Sequence, residues 1–236
     1  MKKILFIGLL LWGGSALAAL CGNFDSIAVG NKVIQNNVWN PGAGPQCITV
    51  TAGTGAFTVT SASHNMPLNG APASYPSAFY GCHWGNCSPN NPLPRQLSGL
   101  TTLLGQLGTT IPTTGVWNAA YDIWLNTTPT ASGQPNGQEI MIWTDYRPGI
   151  QPLGTLVATK TILRSVWQIW HGGSTTTYRK VSGGDGNTMT LLPFLNETVA
   201  RGWANPAWYV IGVEYGFEIW QGQTGLSLNS FNLTVQ

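Results

Sequence analysis

Short runs in which apolar and polar residues alternate with a period of two recur along the chain, separated by turn-forming clusters such as Asn40-Pro-Gly42, Pro148-Gly149 and Gly183-Gly-Asp-Gly186. Successive side chains of a strand point to opposite faces of a sheet, so such a chain folds as many short strands, each offering one face to a core. Helical periodicity is rare; Gln96 to Leu107 reads as a short helix or an irregular loop. Residues 19–236 fit a single all-β domain, and no internal repeat, charged tail or low-complexity linker marks a second module.

Only eight acidic residues occur in the chain, yet three glutamates sit inside alternating, tryptophan-bearing runs. In Gly137-Gln-Glu-Ile-Met-Ile-Trp-Thr-Asp145, Glu139, Met141, Trp143 and Asp145 share one face. In Gly212-Val-Glu-Tyr-Gly-Phe-Glu-Ile-Trp220, Glu214, Gly216, Glu218 and Trp220 do the same. If the two strands belong to one curved sheet, Glu139 and Glu218 can confront each other across a groove. That is the pair glycoside hydrolysis needs, one carboxyl to protonate the leaving oxygen and one to act on the anomeric carbon. Glu214 competes with Glu218, but it lies four residues upstream, about 13 Å along an extended strand, so both cannot serve one bond.

A third acidic run, Asn118-Ala-Ala-Tyr-Asp-Ile-Trp-Leu125, places Asp122 and Trp124 on one face, where Asp122 either joins the same groove or caps a loop. Gln35, Asn37 and Trp39 alternate onto one face and combine amides with an indole, a match for sugar hydroxyls. Trp84 and Trp220 are candidate walls of the groove, and Trp143, on the face of Glu139, is a further candidate contact. Trp117, Trp167, Trp170, Trp203 and Trp208 read as packing residues. Glu197 reads as a solvated turn acid, Asp185 as a turn-former, and Asp25 has no aromatic context.

Lys2 and Lys3, the apolar stretch Ile4 to Trp12 and the small-residue motif Ala16-Leu-Ala18 form an export signal with cleavage after Ala18, of a length that looks bacterial. The apolar stretch is too short to span a bilayer, so a soluble, secreted protein is expected. Without Lys2 and Lys3, basic and acidic residues balance. No basic stripe exists to neutralise phosphates, which argues against nucleic acid and anionic membranes and favours a neutral polymer as partner. Four cysteines in an exported protein point to disulfides. Cys82 and Cys87 flank a compact loop and are paired with each other, leaving Cys21 with Cys47. His64, His83 and His171 match no zinc spacing, and no metal or cofactor is expected. A Gly-x-Ser-x-Gly elbow, a phosphate-cradling loop and a dinucleotide fingerprint are all missing. Nothing in the sequence signals an oligomer, and a monomer is expected.

Together these segments resemble the endoglucanases of glycoside hydrolase family 12. The matching stretches run in order from Cys21 through Asn36-Asn-Val-Trp39, Gln46-Cys47, Gly81-Cys-His-Trp-Gly-Asn-Cys87, Tyr121-Asp-Ile-Trp124 and Glu139-Ile-Met-Ile-Trp143 to Gly216-Phe-Glu-Ile-Trp-Gln-Gly222. The resemblance implies a β-jelly roll of two antiparallel sheets with an open cleft, and hydrolysis of internal β-1,4-glucosidic bonds with retention of configuration. It assigns Glu139 as nucleophile, Glu218 as acid/base, Asp122 as the acid assisting the nucleophile, Trp39 as a sugar-stacking residue on the non-reducing side and Met141 as the methionine beside the nucleophile. Two positions depart from the family pattern: Glu214 stands where many relatives have a neutral residue, and the loop Tyr146-Arg-Pro-Gly-Ile-Gln-Pro-Leu153 replaces a glycine-richer stretch. Two alternatives remain, a xyloglucan-specific endoglucanase using the same residues and a non-catalytic carbohydrate-binding β-sandwich.

Overall fold

A computed structural model describes residues 17–184, 187–222 and 224–236. The first strands are β1 (Leu17–Leu20), β2 (Ser26–Val29), β3 (Lys32–Gln35), β4 (Gln46–Thr51), β5 (Ala56–Ala62) and β6 (Ser77–His83). Next come β7 (Asn86–Cys87), β8 (Arg95–Gln96), β9 (Leu103–Thr110), β10 (Val116–Asn126), β11 (Glu139–Tyr146) and β12 (Thr155–Ile162). The last are β13 (Ser165–Gly172), β14 (Thr175–Ser182), β15 (Thr188–Thr190), β16 (Tyr209–Gln221) and β17 (Ser227–Val235), with one helix, α1 (Leu192–Ala200). Residues 1–16 of the expected leader lie outside the described residues, as does Asp185. Ala18 pairs with Val50 at the edge of a sheet.

The strands form two layers. A 6-stranded sheet runs β1-β4-β5-β17-β9-β15, and an 11-stranded sheet follows the path β12-β13-β14-β11-β10-β16-β6-β3-β2, with β7 on β6 and β8 on β16. This is the sandwich of a β-jelly roll. One departure from an all-antiparallel layout is the parallel pairing of β11 with β14, which sets Thr175 beside Glu139.

The core lies between the layers. Ile123, Ile140, Ile142, Val213, Phe217 and Ile219 of the large sheet meet Ile48, Val50, Phe57, Val59, Leu228 and Phe231 of the small one, all buried. These are the apolar halves of the alternating runs, and each such side chain taken from water contributes about 1.5–3 kcal/mol. The central strands β10 and β16 are buried almost throughout, because loop residues such as Met66, Leu68 and Ile150 pack on part of their second face.

The structure corrects several expectations. The stretch from Gln96 is neither a helix nor wholly a loop: a single 3-10 turn, Leu97–Gly99, precedes β9, where Leu103 and Gly105 alternate into the core. A helix not foreseen, α1, begins with Pro193 in its first turn and buries Phe194 and Leu195, a position where proline's missing N–H costs nothing. Glu197 is not a solvated turn acid; it lies on α1, is 9% exposed, and bonds Lys160 of β12 and Arg201 at 2.8 Å. Both disulfides join as expected, Cys21 to Cys47 and Cys82 to Cys87.

Candidate active site

The face of the large sheet turned away from the small sheet holds a cavity of about 640 Å³, lined by Phe24, Gln35, Asn37, Trp39, Tyr75, His83, Trp84, Asn86, Asp122, Trp124, Glu139, Met141 and Glu218. Glu139, Glu218 and Asp122 therefore open into one space. They come from three neighbouring strands: β10 lies between β11 and β16, with Asp122 in register with Met141 on one side and Glu214 on the other. Between the acids on this face stand Ala120 and Gly216, themselves register partners. A Cβ on Gly216 would meet the Pro76 carbonyl oxygen at 2.3 Å, so glycine keeps this part of the sheet closely packed.

Each acid has a distinct environment. Thr175 donates its hydroxyl to Glu139 Oε2 at 2.6 Å. Asn118 donates its amide to Glu218 Oε2, and the Glu218 backbone N–H returns a bond to Asn118 Oδ1 at 3.3 Å. Burial raises the Glu139 carboxyl above its ordinary range; the Thr175 hydroxyl opposes this, and the charge of Glu214 adds to it. Burial, opposed by the Asn118 amide and reinforced by Glu139, pushes Glu218 up to about 8. Asp122 is 4% exposed, its Oδ1 is buried without a hydrogen-bond partner, and burial followed by the charges of Glu139, Glu214 and Glu218 holds it well above its ordinary range. The cluster thus favours protonated Asp122 and Glu218, with a hydroxyl donor supporting an ionised Glu139.

The aromatic wall also comes together. Trp39 and Trp84 are 42% and 48% exposed. Trp84 stands edge-on to Trp124, 4.9 Å between centroids, and to His83 at 4.4 Å. Asn37 and Trp84 both adopt positive φ, 41° and 45°, a conformation that costs a non-glycine residue roughly 1–2 kcal/mol. Asn37 lies beyond the end of β3 rather than in a strand, yet it lines the cleft together with Gln35 and Trp39.

Trp143 and Trp220, named above as candidate substrate contacts, do not line the cleft. Each is 2% exposed, and they pack edge-on to each other at 6.1 Å. The reason lies in two loops. Ile150 from the 147–154 loop packs with Trp143, Trp220 and Met141, and Met66 and Leu68 from the 63–72 loop join the same cluster. Arg179 pins the first loop by donating to the Ile150 carbonyl at 3.3 Å, and the Trp220 indole pins the second by donating to Gly70 O at 2.8 Å. Sequence reading also missed Asn118, Thr175, Tyr75, His83, Asn86 and Phe24. Asn118 shared the alternating face of Asp122 and was open to detection; Thr175 was not, because its approach to Glu139 depends on a parallel pairing between segments far apart in the chain.

A second cavity, of about 330 Å³, opens elsewhere and is lined by Tyr121, Tyr215, Lys180 and Asp145 among others. It holds one acid and so lacks the pair of carboxylates.

Residues 30–236 match the model of glycosyl hydrolase family 12. The chain is 31% identical over 156 residues to the probable cellulase Cel12b of Mycobacterium tuberculosis, a match covering 61% of this chain and 97% of that protein. It is 26% identical over 230 residues to the xyloglucan-specific endo-β-1,4-glucanase A of Emericella nidulans, covering 92% and 91%. Among solved structures, endoglucanase Cel12A from Rhodothermus marinus superimposes with a TM-score of 0.86 at 38% identity, covering 93% of this chain and 99% of that one. The chain belongs to glycosyl hydrolase family 12 and is a glycoside hydrolase.

Proposed function

We propose that the protein is a secreted endo-β-1,4-glucanase that cleaves internal bonds of an unbranched glucan by double displacement, with Glu139 as nucleophile and Glu218 as acid and base. The observation that carries this reading is that Glu139 and Glu218 line one open cleft with contrasting support: a hydroxyl donated to the first, and burial that keeps the second protonated. A glucan chain lies across the cleft against Trp39 and Trp84, its hydroxyls bonded by Asn37 and Gln35. Glu218 gives its proton to the leaving oxygen while ionised Glu139 attacks the anomeric carbon, forming a glycosyl-enzyme and releasing one end of the chain. Glu218, now ionised, takes a proton from water, and the resulting hydroxide displaces Glu139. This route requires carboxyls about 5 Å apart. Asp122, held protonated by its burial and by the charge of Glu139, adds no second negative charge near the nucleophile. The names of the relatives, cellulase and endoglucanase, support the substrate class, and the two disulfides suit an oxidising, extracellular setting.

Release of reducing ends from carboxymethylcellulose, with a Glu139→Gln control that stays silent, tests the activity. Proton NMR of the first-formed product tests the route: a β-anomer is expected, and an α-anomer removes the double displacement. Faster cleavage of xyloglucan than of unbranched β-glucan would replace the substrate assignment. Binding without cleavage would replace the enzyme by a carbohydrate-binding protein.

A further inference from the structure

Asp122, Glu139, Glu214 and Glu218 occupy the cleft side of the large sheet, and the mechanism above leaves Glu214 without a task. It is fully buried and does not line the cleft. A carboxylate is retained in such a place only where donors replace its water. Here Ser77 donates to Oε2 at 2.8 Å, Trp124 Nε1 donates to Oε1 at 3.1 Å, and His83 Nδ1 lies 3.7 Å from Oε1. Two of these groups, Trp124 and His83, are cleft residues. They face each other at 5.9 Å, and both pack edge-on to Trp84. The same Nδ1 of His83 donates to Gln35 Oε1 at 3.2 Å, so Trp124 is the cleft residue that Glu214 bonds directly, and Gln35 donates in turn to the Phe24 carbonyl at 3.4 Å. Glu214 is therefore the buried end of a chain of contacts that fixes one wall of the cleft.

We propose that Glu214 is a positioning residue for substrate binding, whose carboxylate pins Trp124, and through it His83 and Trp84, as an aromatic wall for the glucan chain. The inference rests on the glucanase reading above and names a determinant of affinity within it. An indole held at its N–H cannot swing about its side-chain torsions, so its face is presented to the sugar before binding and less freedom is lost on association. A competing role, in which the Glu214 charge acts on the reacting acids, makes a different forecast, because it would alter turnover rather than affinity.

The experiment measures kcat and KM on a soluble unbranched β-glucan, together with the dissociation constant of cellohexaose by calorimetry in a Glu139→Gln background. Glu214→Ala is expected to raise KM and the dissociation constant about tenfold while kcat stays within about threefold. Glu214→Gln retains an oxygen to accept the Trp124 N–H and is expected to raise both by about threefold or less. Trp124→Phe removes the donor and is expected to weaken binding, and combining it with Glu214→Gln should add no further loss, since the two act through one contact. Unchanged affinity with a fall in kcat overturns the inference, and so does full additivity of Glu214→Gln and Trp124→Phe. If Glu214→Ala does not fold, the Gln and Phe variants decide the matter alone. A wild-type enzyme that releases no reducing ends sinks the glucanase reading instead, while cellohexaose binding still reports on the wall.

Discussion

Burial and the nearby Glu139 push the Glu218 carboxyl up to about 8, which at neutral pH keeps on it the proton that the proposed mechanism gives to the leaving group. Activity as kcat/KM is expected to fall on the alkaline side near pH 8 as Glu218 loses its proton, and on the acid side as Glu139 gains one; a pH–rate profile checks both limbs. The same shift bears on stability. An unfolded glutamate titrates near 4.3, so between about pH 4.3 and 8 the native state binds the proton that the unfolded chain has released. Stability from this group is therefore fully present at low pH and is lost as pH rises through that window. Glu218→Gln is expected to raise the melting temperature at pH 8 and to change it little at pH 4, while lowering kcat by about a thousandfold or more. At this scale the sequence was informative: acids rare in the chain and placed among strand residues marked Glu139, Glu218 and Asp122. It was uninformative for Thr175, one of three consecutive threonines with nothing to distinguish it.

Strands β10, β11, β14 and β16 act together because each contributes one component of the site. The parallel neighbour β14 supplies the hydroxyl that favours an ionised Glu139. Thr175→Val removes that donor, so the Glu139 carboxyl should rise and the acid limb of the pH profile move toward neutrality; a profile shifted in the other direction would contradict the assignment. The 147–154 loop is a second case. Pattern analysis placed Trp143 and Trp220 on the functional face, which was right for the strands but not for the side chains' access, since nothing in a period of two reveals that Ile150, Met66 and Leu68 will cover them. Ile150→Ala is expected to destabilise the protein by about 2–5 kcal/mol through the lost burial and the cavity left behind, and to increase quenching of tryptophan fluorescence by acrylamide.

Across the whole molecule, each disulfide ties an exposed cysteine, Cys21 or Cys87, to a better-buried partner, Cys47 or Cys82. Cys82–Cys87 closes the turn carrying His83 and Trp84. Cys82→Ser with Cys87→Ser is expected to raise KM for β-glucan several-fold, with a smaller effect on kcat, as measured by steady-state kinetics. The helix α1 was hidden in the sequence because its nine residues show a weak pattern and start at a leucine without a side-chain cap; its place is set by Phe194 against Trp167 and Tyr178. By itself the sequence determined the all-β architecture, the disulfide pairing and which face of each central strand bears acids, because these follow from local alternation and spacing. Only the tertiary structure decided that the acids open into one cavity. Glu139 is in register with Trp124 and Glu218 with Asn118, a separation of roughly 20 Å along a flat strand, yet both line one cavity and the charge of one acts on the other. The way β11, β10 and β16 lie against one another in the folded sheet decides this, and no single strand's sequence encodes it.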